Sequence, residues 1–197
     1  MKRPVTNKAE LRAEMRRVRK ALKAARPDAA ERAAGHAGEL IAGLGEGGVV
    51  AVYHAIGSEL SCEPLVRALS KAGVALAAPR ADAVGEAMAF LRWAEGEPLE
   101  PDQAGCPAPL DLAEAVVPDL IVTPLLGFDG RGFRLGQGGG YYDRTFAALR
   151  AEGRPFRAIG LAYAGQRVER LEAEGHDERL DAVLTEDGLI RFDREAE

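Results

Sequence analysis

Short β-branched runs alternate with longer helical stretches along nearly all of the 197 residues, and few architectures accommodate that alternation. Val49–Tyr53, Val74–Ala78, Ala87–Trp93, Leu120–Thr123, Arg157–Tyr163, Ala182–Leu184 and Leu189–Phe192 read as strands, with Pro79 ending the second. Leu11, Met15, Val18 and Leu22 recur at helical spacing and predict a helix over residues 8–25, opened by Asn7 and closed by Pro27. Asp28 and Glu31 open another helix that ends in the Gly43–Gly48 turn. Ser61 caps one that runs to about Ala72, and a further helix is predicted over Tyr141–Ala151. At least a helical turn is expected over Gln166–Leu171. Residues 94–109, with Pro98, Pro101, Pro107 and Pro109, read as a loop. The predicted fold class is α/β: one domain over residues 1–197, a three-layer α/β/α arrangement with a Rossmann-like, largely parallel sheet and helices on both faces.

Several function classes fall away early. Hydrophobic residues at 47% argue against a disordered chain. No apolar run approaches the roughly 18 residues of a membrane span, and the polar start Met1-Lys2-Arg3-Pro4 carries no secretory signal, so a cytoplasmic location is expected. Cys62 and Cys106 form no C-x-x-C, and the three histidines form no H-E-x-x-H. A disulfide scaffold, a structural zinc site and a zinc hydrolase are therefore not expected.

Charge is unevenly spread. Residues 1–26 carry ten Lys/Arg against Glu10 and Glu14, leaving 16 basic and 29 acidic residues for the rest. Lys8, Arg12, Arg16, Arg19 and Lys23 form a cationic stripe beside the apolar one on the first helix. Nucleic acid, anionic lipid and a phosphorylated ligand are its candidate partners. RNA binding is the rival from another function class, but residues 1–26 hold no aromatic side chain for base stacking.

The chemistry concentrates between Asp129 and Arg144. Gly136, Gly138, Gly139 and Gly140 precede the predicted helix, and glycines so placed let backbone N–H groups converge on an anion beside a helix N-terminus. Arg134 at the loop entrance can fork onto phosphate oxygens. The segment is not a P-loop, since the chain has no Gly-Lys pair, nor a dinucleotide fingerprint, since Tyr141 stands where glycine is needed. Asp143 reads either as a Mg²⁺ ligand accompanying a phosphate or as a favourable first-turn charge. Tyr142 shares helical spacing with Phe146 and Leu149, so it reads equally as core or ligand, whereas Tyr141 is favoured for ligand contact. A phosphosugar isomerase or transferase on a similar scaffold is a second rival, separable by its indifference to ATP.

The stretch Arg134-Leu-Gly-Gln-Gly-Gly-Gly-Tyr-Tyr-Asp-Arg144 resembles the signature of the 5-formyltetrahydrofolate cyclo-ligase family. Lys8-x-x-Leu11-Arg12, Ser58-Glu59-Leu60, Glu63-Pro64-Leu65, Pro118–Pro124, Gly127-Phe128-Asp129, Gln166, His176-Asp177, Asp181 and Thr185-Glu186 extend the resemblance over residues 8–188. It implies ATP-dependent closure of 5-formyltetrahydrofolate to 5,10-methenyltetrahydrofolate with Mg²⁺. The formyl oxygen attacks the γ-phosphate, N10 closes on the activated carbon, and ADP and phosphate are released. Carried onto this chain, the resemblance assigns ATP to Lys8, Arg12, Arg134, Leu135, Gly136, Gln137, Gly138, Gly139, Gly140, Tyr141 and Tyr142. It assigns the folate to His54, Glu59 and Gln137 through Tyr141, and the metal to Asp143 and Asp181. Some relatives are basic where this chain has Gln137 and Gly139, which shifts phosphate neutralisation onto Arg134 and the first helix, expected to pack near loop 130–140. The expected partners are ATP and the folate, with no membrane or nucleic acid, and the expected state is a monomer.

Overall fold

The computed structural model describes residues 7–193; Lys2 and Arg3 of the basic segment lie outside the described residues. Its strands are β1 (Val49–Ala51), β2 (Ala75–Arg80), β3 (Ala89–Arg92), β4 (Leu99–Pro101), β5 (Pro107–Pro109), β6 (Leu120–Pro124), β7 (Gly127–Phe128), β8 (Arg134–Leu135), β9 (Arg157–Leu161), β10 (Ala182–Thr185) and β11 (Gly188–Arg191). Its helices are α1 (Lys8–Ala25), α2 (Ala29–Ala34), α3 (Ala37–Ile41), α4 (Glu63–Lys71) and α5 (Tyr141–Ala151). Seven strands build the main sheet in the order β11-β10-β9-β6-β1-β2-β3. The five inner strands run parallel, and β11 and β3 close the edges antiparallel. The sheet is thus largely parallel, as the alternation predicts.

β6 shows why both faces are covered. Every residue from Leu120 to Thr123 is buried, and period two sends alternate side chains to opposite faces. Leu120 and Val122 join a cluster with Ala33 of α2 and Leu65 and Leu69 of α4. Ile121 joins the opposite cluster with Phe146 of α5. Burying a side chain of Phe146's size contributes about 1.5–3 kcal/mol. α1 starts where expected, with Asn7 Oδ1 accepting the Ala9 amide at 2.9 Å. Its apolar stripe does not meet the sheet over its whole length: Leu11, Met15 and Val18 pack on Leu126, Leu135 and Leu171, and Leu22 joins the α2–α4 cluster.

Four local expectations need correction. The helix from Asp28 is two short helices, parted at Gly35 and His36. β2 continues through Pro79, which pairs with Phe90; the β1 ladder ends at Ala77, so on that side the missing N–H removes no bond. The proline-rich 94–109 segment contains the β4–β5 hairpin, because Pro101, Pro107 and Pro109 sit on a two-stranded ribbon with unpaired outer edges. Residues 166–171 form no α-helix beyond a 3₁₀ turn at Ala164–Gln166. There Gln166, fully buried, accepts the Tyr163 amide and donates to the Leu125 and Leu126 carbonyls.

Candidate active site

β1 leads to β2 on one side of the sheet, whereas β6 leads to β9 on the other, so the strand order reverses between β1 and β6. Ligands in open α/β sheets settle beyond the carboxyl ends of the strands at such a reversal. A cavity of about 420 Å³ lies there, lined by Tyr53, His54 and Glu59 after β1, by Pro124 at the end of β6 and by Leu125 just beyond it. Cys106 and Pro107 of the proline-rich hairpin and Tyr141 and Tyr142 of α5 complete much of its wall.

The glycine-rich loop follows the β7–β8 hairpin inside the β6–α5–β9 crossover. Asp129, fully buried, shapes the hairpin turn by accepting the Arg131, Phe133 and Leu171 amides and the Arg131 guanidinium. Gly138 (φ 107°) and Gly140 (φ 65°) hold left-handed conformations that side chains disfavour. No side chain caps α5 at Gly140, so its first turn presents uncapped N–H groups and a positive end. On the far side of the loop lies a second cavity of about 140 Å³. Arg134, Gly136, Gly140 and Asp143 line both cavities, which makes the loop their partition.

Arg134 is nearly enclosed. Its guanidinium donates to Asp143 Oδ1 at 2.8 Å and to the Glu178 carbonyl at 2.6 Å, and lies 5.0 Å from the Phe146 ring centre. Burial pushes the Asp143 carboxyl above its ordinary value, opposed by Arg134. Lys8 reaches the smaller cavity from the first turn of α1, donating to Asp177 Oδ2 at 2.9 Å and pairing with Glu174 at 2.9 Å. Burial pulls its ammonium down, but these two carboxylates outweigh it and hold the pKa above 10.5. Arg12 Nε bonds the Gly136 carbonyl at 3.1 Å, and Arg16 Nε bonds Gln137 Oε1 at 3.0 Å. Lys23 donates to the Gly57 carbonyl at 2.7 Å. The cationic stripe therefore turns onto the loops of its own chain.

The structure brings most of the expected residues together. Lys8 and Arg12 line the smaller cavity; His54, Glu59, Gln137, Gly139, Tyr141 and Tyr142 line the larger. Leu135 and Gly138 line the smaller cavity. Tyr142 packs edge-on to Phe146 within the core and also lines the larger cavity. Asp181, the other residue assigned to the metal, is placed by β10. It stands just before β10, where the strands begin, and its Oδ2 accepts the Ala158 amide at 2.7 Å, a bond that joins β10 to β9. His54 sits edge-on to Trp93 at 4.8 Å with its buried Nε2 unpartnered, and burial lowers its pKa. The sequence reading did not single out Asp177 as a partner of Lys8, nor the buried Arg19; no local pattern marks either.

A profile of the 5-formyltetrahydrofolate cyclo-ligase family matches residues 4–186. The chain belongs to this family. It is 32% identical over 181 residues to the 5-formyltetrahydrofolate cyclo-ligase of Haemophilus influenzae, covering 89% of this chain and 95% of that protein. It is 34% identical over 142 residues to that of Escherichia coli K12, covering 69% and 76%. Its fold matches the NMR structure of Aquifex aeolicus 5,10-methenyltetrahydrofolate synthetase with a TM-score of 0.72 and 28% identity, covering 96% of this chain and 94% of that one. The family match spans α1, both cavity walls and the glycine-rich partition. Among the described residues no helix is long and apolar enough to cross a membrane.

Among the described residues no three His, Cys, Asp or Glu side chains gather in a self-sufficient metal cage. Mg²⁺ carried by a nucleotide needs less, one or two carboxylates beside the phosphate oxygens. Asp143, on the wall of both cavities, fits that requirement.

Proposed function

We propose that this chain catalyses the ATP-dependent cyclisation of 5-formyltetrahydrofolate to 5,10-methenyltetrahydrofolate, releasing ADP and phosphate. The observation that carries the reading is the glycine-rich partition, with a cation-lined cavity on one side and a larger, mostly apolar cavity holding Glu59 on the other. A transferring phosphoryl group has to pass between two bound molecules, and a thin wall of backbone lets both approach.

In this reading the triphosphate lies along Arg134–Tyr142, with Lys8 and Arg12 neutralising its charge. The folate fills the larger cavity, its pteridine N–H groups donating to Glu59 and its body against His54 and Gln137–Tyr141. Asp143 would hold Mg²⁺, whose contribution when bound is to offset charge on the phosphates. Asp181, whose Oδ2 accepts the Ala158 amide, is the second carboxylate assigned to the metal. The formyl oxygen attacks the γ-phosphorus, the bond to the ADP oxygen breaks, and a phosphorylated imidate remains. N10 then bonds to the activated carbon, loses its proton, and phosphate departs with the former formyl oxygen. A weak nucleophile gains most from alignment, worth ~7–11 kcal/mol when two reactants are fixed in line; cations in a water-poor site add to that. The working unit is read as a monomeric α/β domain.

The test is direct. Purified protein with 5-formyltetrahydrofolate is followed by the near-ultraviolet absorbance of the methenyl product, with and without ATP and Mg²⁺. Product forming only with nucleotide, alongside an equal amount of ADP, is expected. Turnover without ATP, or none with it, would overturn the proposal.

A further inference from the structure

Arg19 belongs to the cationic stripe, but only 3% of it is exposed. Arginine is seldom so buried unless paired, because a desolvated unpaired charge costs several kcal/mol. Its Nε donates to Ser58 Oγ at 3.1 Å, its Nη1 donates to the Leu125 carbonyl at 3.0 Å, and Nη1 lies 3.6 Å from Glu59 Oε1. Ser58 and Glu59 follow β1, and Leu125 follows β6, so one guanidinium ties together the two loops that flank the strand-order reversal. Glu59 is itself buried, and its other oxygen accepts the Ile56 amide at 2.9 Å.

We propose that Arg19 is a positioning residue that holds Glu59 as an acceptor-only carboxylate facing the larger cavity, thereby setting recognition of the folate's pteridine N–H donors. The inference rests on the assignment of Glu59 to the folate. Its chemistry is simple. An ionised carboxylate only accepts hydrogen bonds, whereas a protonated one offers an O–H where the pteridine also offers N–H.

The groups facing Glu59 come from several elements. Tyr53 and His54 follow β1, Tyr142 comes from α5, Cys106 from the proline-rich hairpin, and Gln137 from the glycine-rich loop. Burial raises the pKa of Tyr53, Tyr142 and Cys106 and lowers that of His54, so all four stay uncharged near neutrality. Burial likewise pushes the Glu59 carboxyl up; the Ile56 amide, Arg19 and Gln137 oppose it. Arg16, three residues earlier on α1, opposes the charge on Arg19. Arg134 and Asp143 on the same cavity wall pair with each other, so the counter-charge at Glu59 comes from Arg19.

The test compares wild type, Arg19→Lys, Arg19→Met and Glu59→Gln, measuring kcat and KM for folate and for ATP from about pH 5 to about pH 8. Arg19→Met is expected to raise the folate KM about tenfold near neutrality, the loss of one charge-assisted hydrogen bond. Its KM rise on acidification is expected to begin at higher pH than in wild type. ATP KM should change far less, and Arg19→Lys should recover most of the loss. A brace with no electrostatic role would lower thermal stability without moving the pH profile. An unmoved profile in folded Arg19→Met overturns the inference. If Arg19→Met does not fold, ¹³C-carboxyl NMR titration of wild-type Glu59 decides: ionisation through the neutral range supports it, and a carboxyl still protonated at neutral pH overturns it. Glu59→Gln separates the layers. An unchanged folate KM there removes the pteridine assignment and this inference with it, whereas a raised KM beside wild-type-like Arg19 variants removes the role of Arg19 alone.

Discussion

Lys8 and Asp177, 169 positions apart, meet at 2.9 Å on the wall of the smaller cavity. The lysine sits in the first turn of α1, and Asp177 lies in the irregular segment before β10, where it also accepts the Glu174 amide. The pair holds a long flexible side chain at the cavity before any ligand arrives. Lys8→Ala is expected to raise the ATP KM about 10- to 100-fold, the worth of a charged hydrogen bond. Asp177→Asn should act in the same direction but less, and the double variant should fall short of the summed effects because both act on one ammonium. Steady-state kinetics on the four proteins decides this; full additivity would separate Asp177 from Lys8.

Arg134→Ala should damage stability as well as turnover. Its guanidinium is almost wholly buried and is bonded to Asp143 and to the Glu178 carbonyl, so truncation leaves a partly buried carboxylate with the Glu178 amide but without its counter-ion. A loss of about 2–4 kcal/mol is expected in urea unfolding, together with a large fall in kcat/KM for ATP.

Asp143→Asn keeps the shape and removes the charge. Nucleotide affinity measured by calorimetry should lose most of its dependence on Mg²⁺, while folate affinity stays near wild type. A Mg²⁺ dependence identical to wild type would take Asp143 out of the metal site.

Gly138→Ala tests the partition itself. A Cβ there would meet Arg12 only at ordinary contact distance, 3.7 Å, so any penalty comes from the backbone, whose φ of 107° suits glycine. About 1–3 kcal/mol of strain is expected, appearing in thermal unfolding or as weaker ATP binding where the loop relaxes instead.

Asp129 makes stability depend on acid. Burial pushes its carboxyl up, but the Leu171, Arg131 and Phe133 amides and the Arg131 guanidinium overcome that and hold it below its ordinary 3.8. A depressed folded-state pKa stabilises the protein above the unfolded value, and the contribution disappears as pH falls through the folded one. Urea unfolding between about pH 6 and about pH 3 should show stability falling toward the acid end, with a shallower fall in Asp129→Asn. That variant should also lose about 2–4 kcal/mol near neutrality, because amide donors and a guanidinium lose their anion.

Legibility in the sequence tracked the range of the forces involved. The apolar run at Leu120–Thr123 announced a strand covered on both faces because one side chain per face per step needs no distant information. Four closely spaced glycines before a helix announced a tight turn at its N-terminus for a similar reason. Pro101, Pro107 and Pro109 misled because proline's penalty depends on which edge of a strand has a neighbour, and that is settled by the rest of the sheet. The bond from the Ala158 amide to Asp181 was not legible, because only strand pairing brings the two near each other.

Local pattern alone determined the ends of α1, the strand–helix alternation and the place of the glycine-rich turn, since each depends on backbone preferences and apolar spacing within a few residues. Tertiary structure decided which cations look outward and which carboxylates they meet. Lys8, Arg12, Arg16 and Arg19 share one stripe of one helix, but only the packing of α1 across the β7–β8 hairpin sends Arg19 inward to Glu59 and Lys8 toward Asp177. Long charged side chains take partners by proximity and desolvation, and both arise only when distant segments of the chain come together.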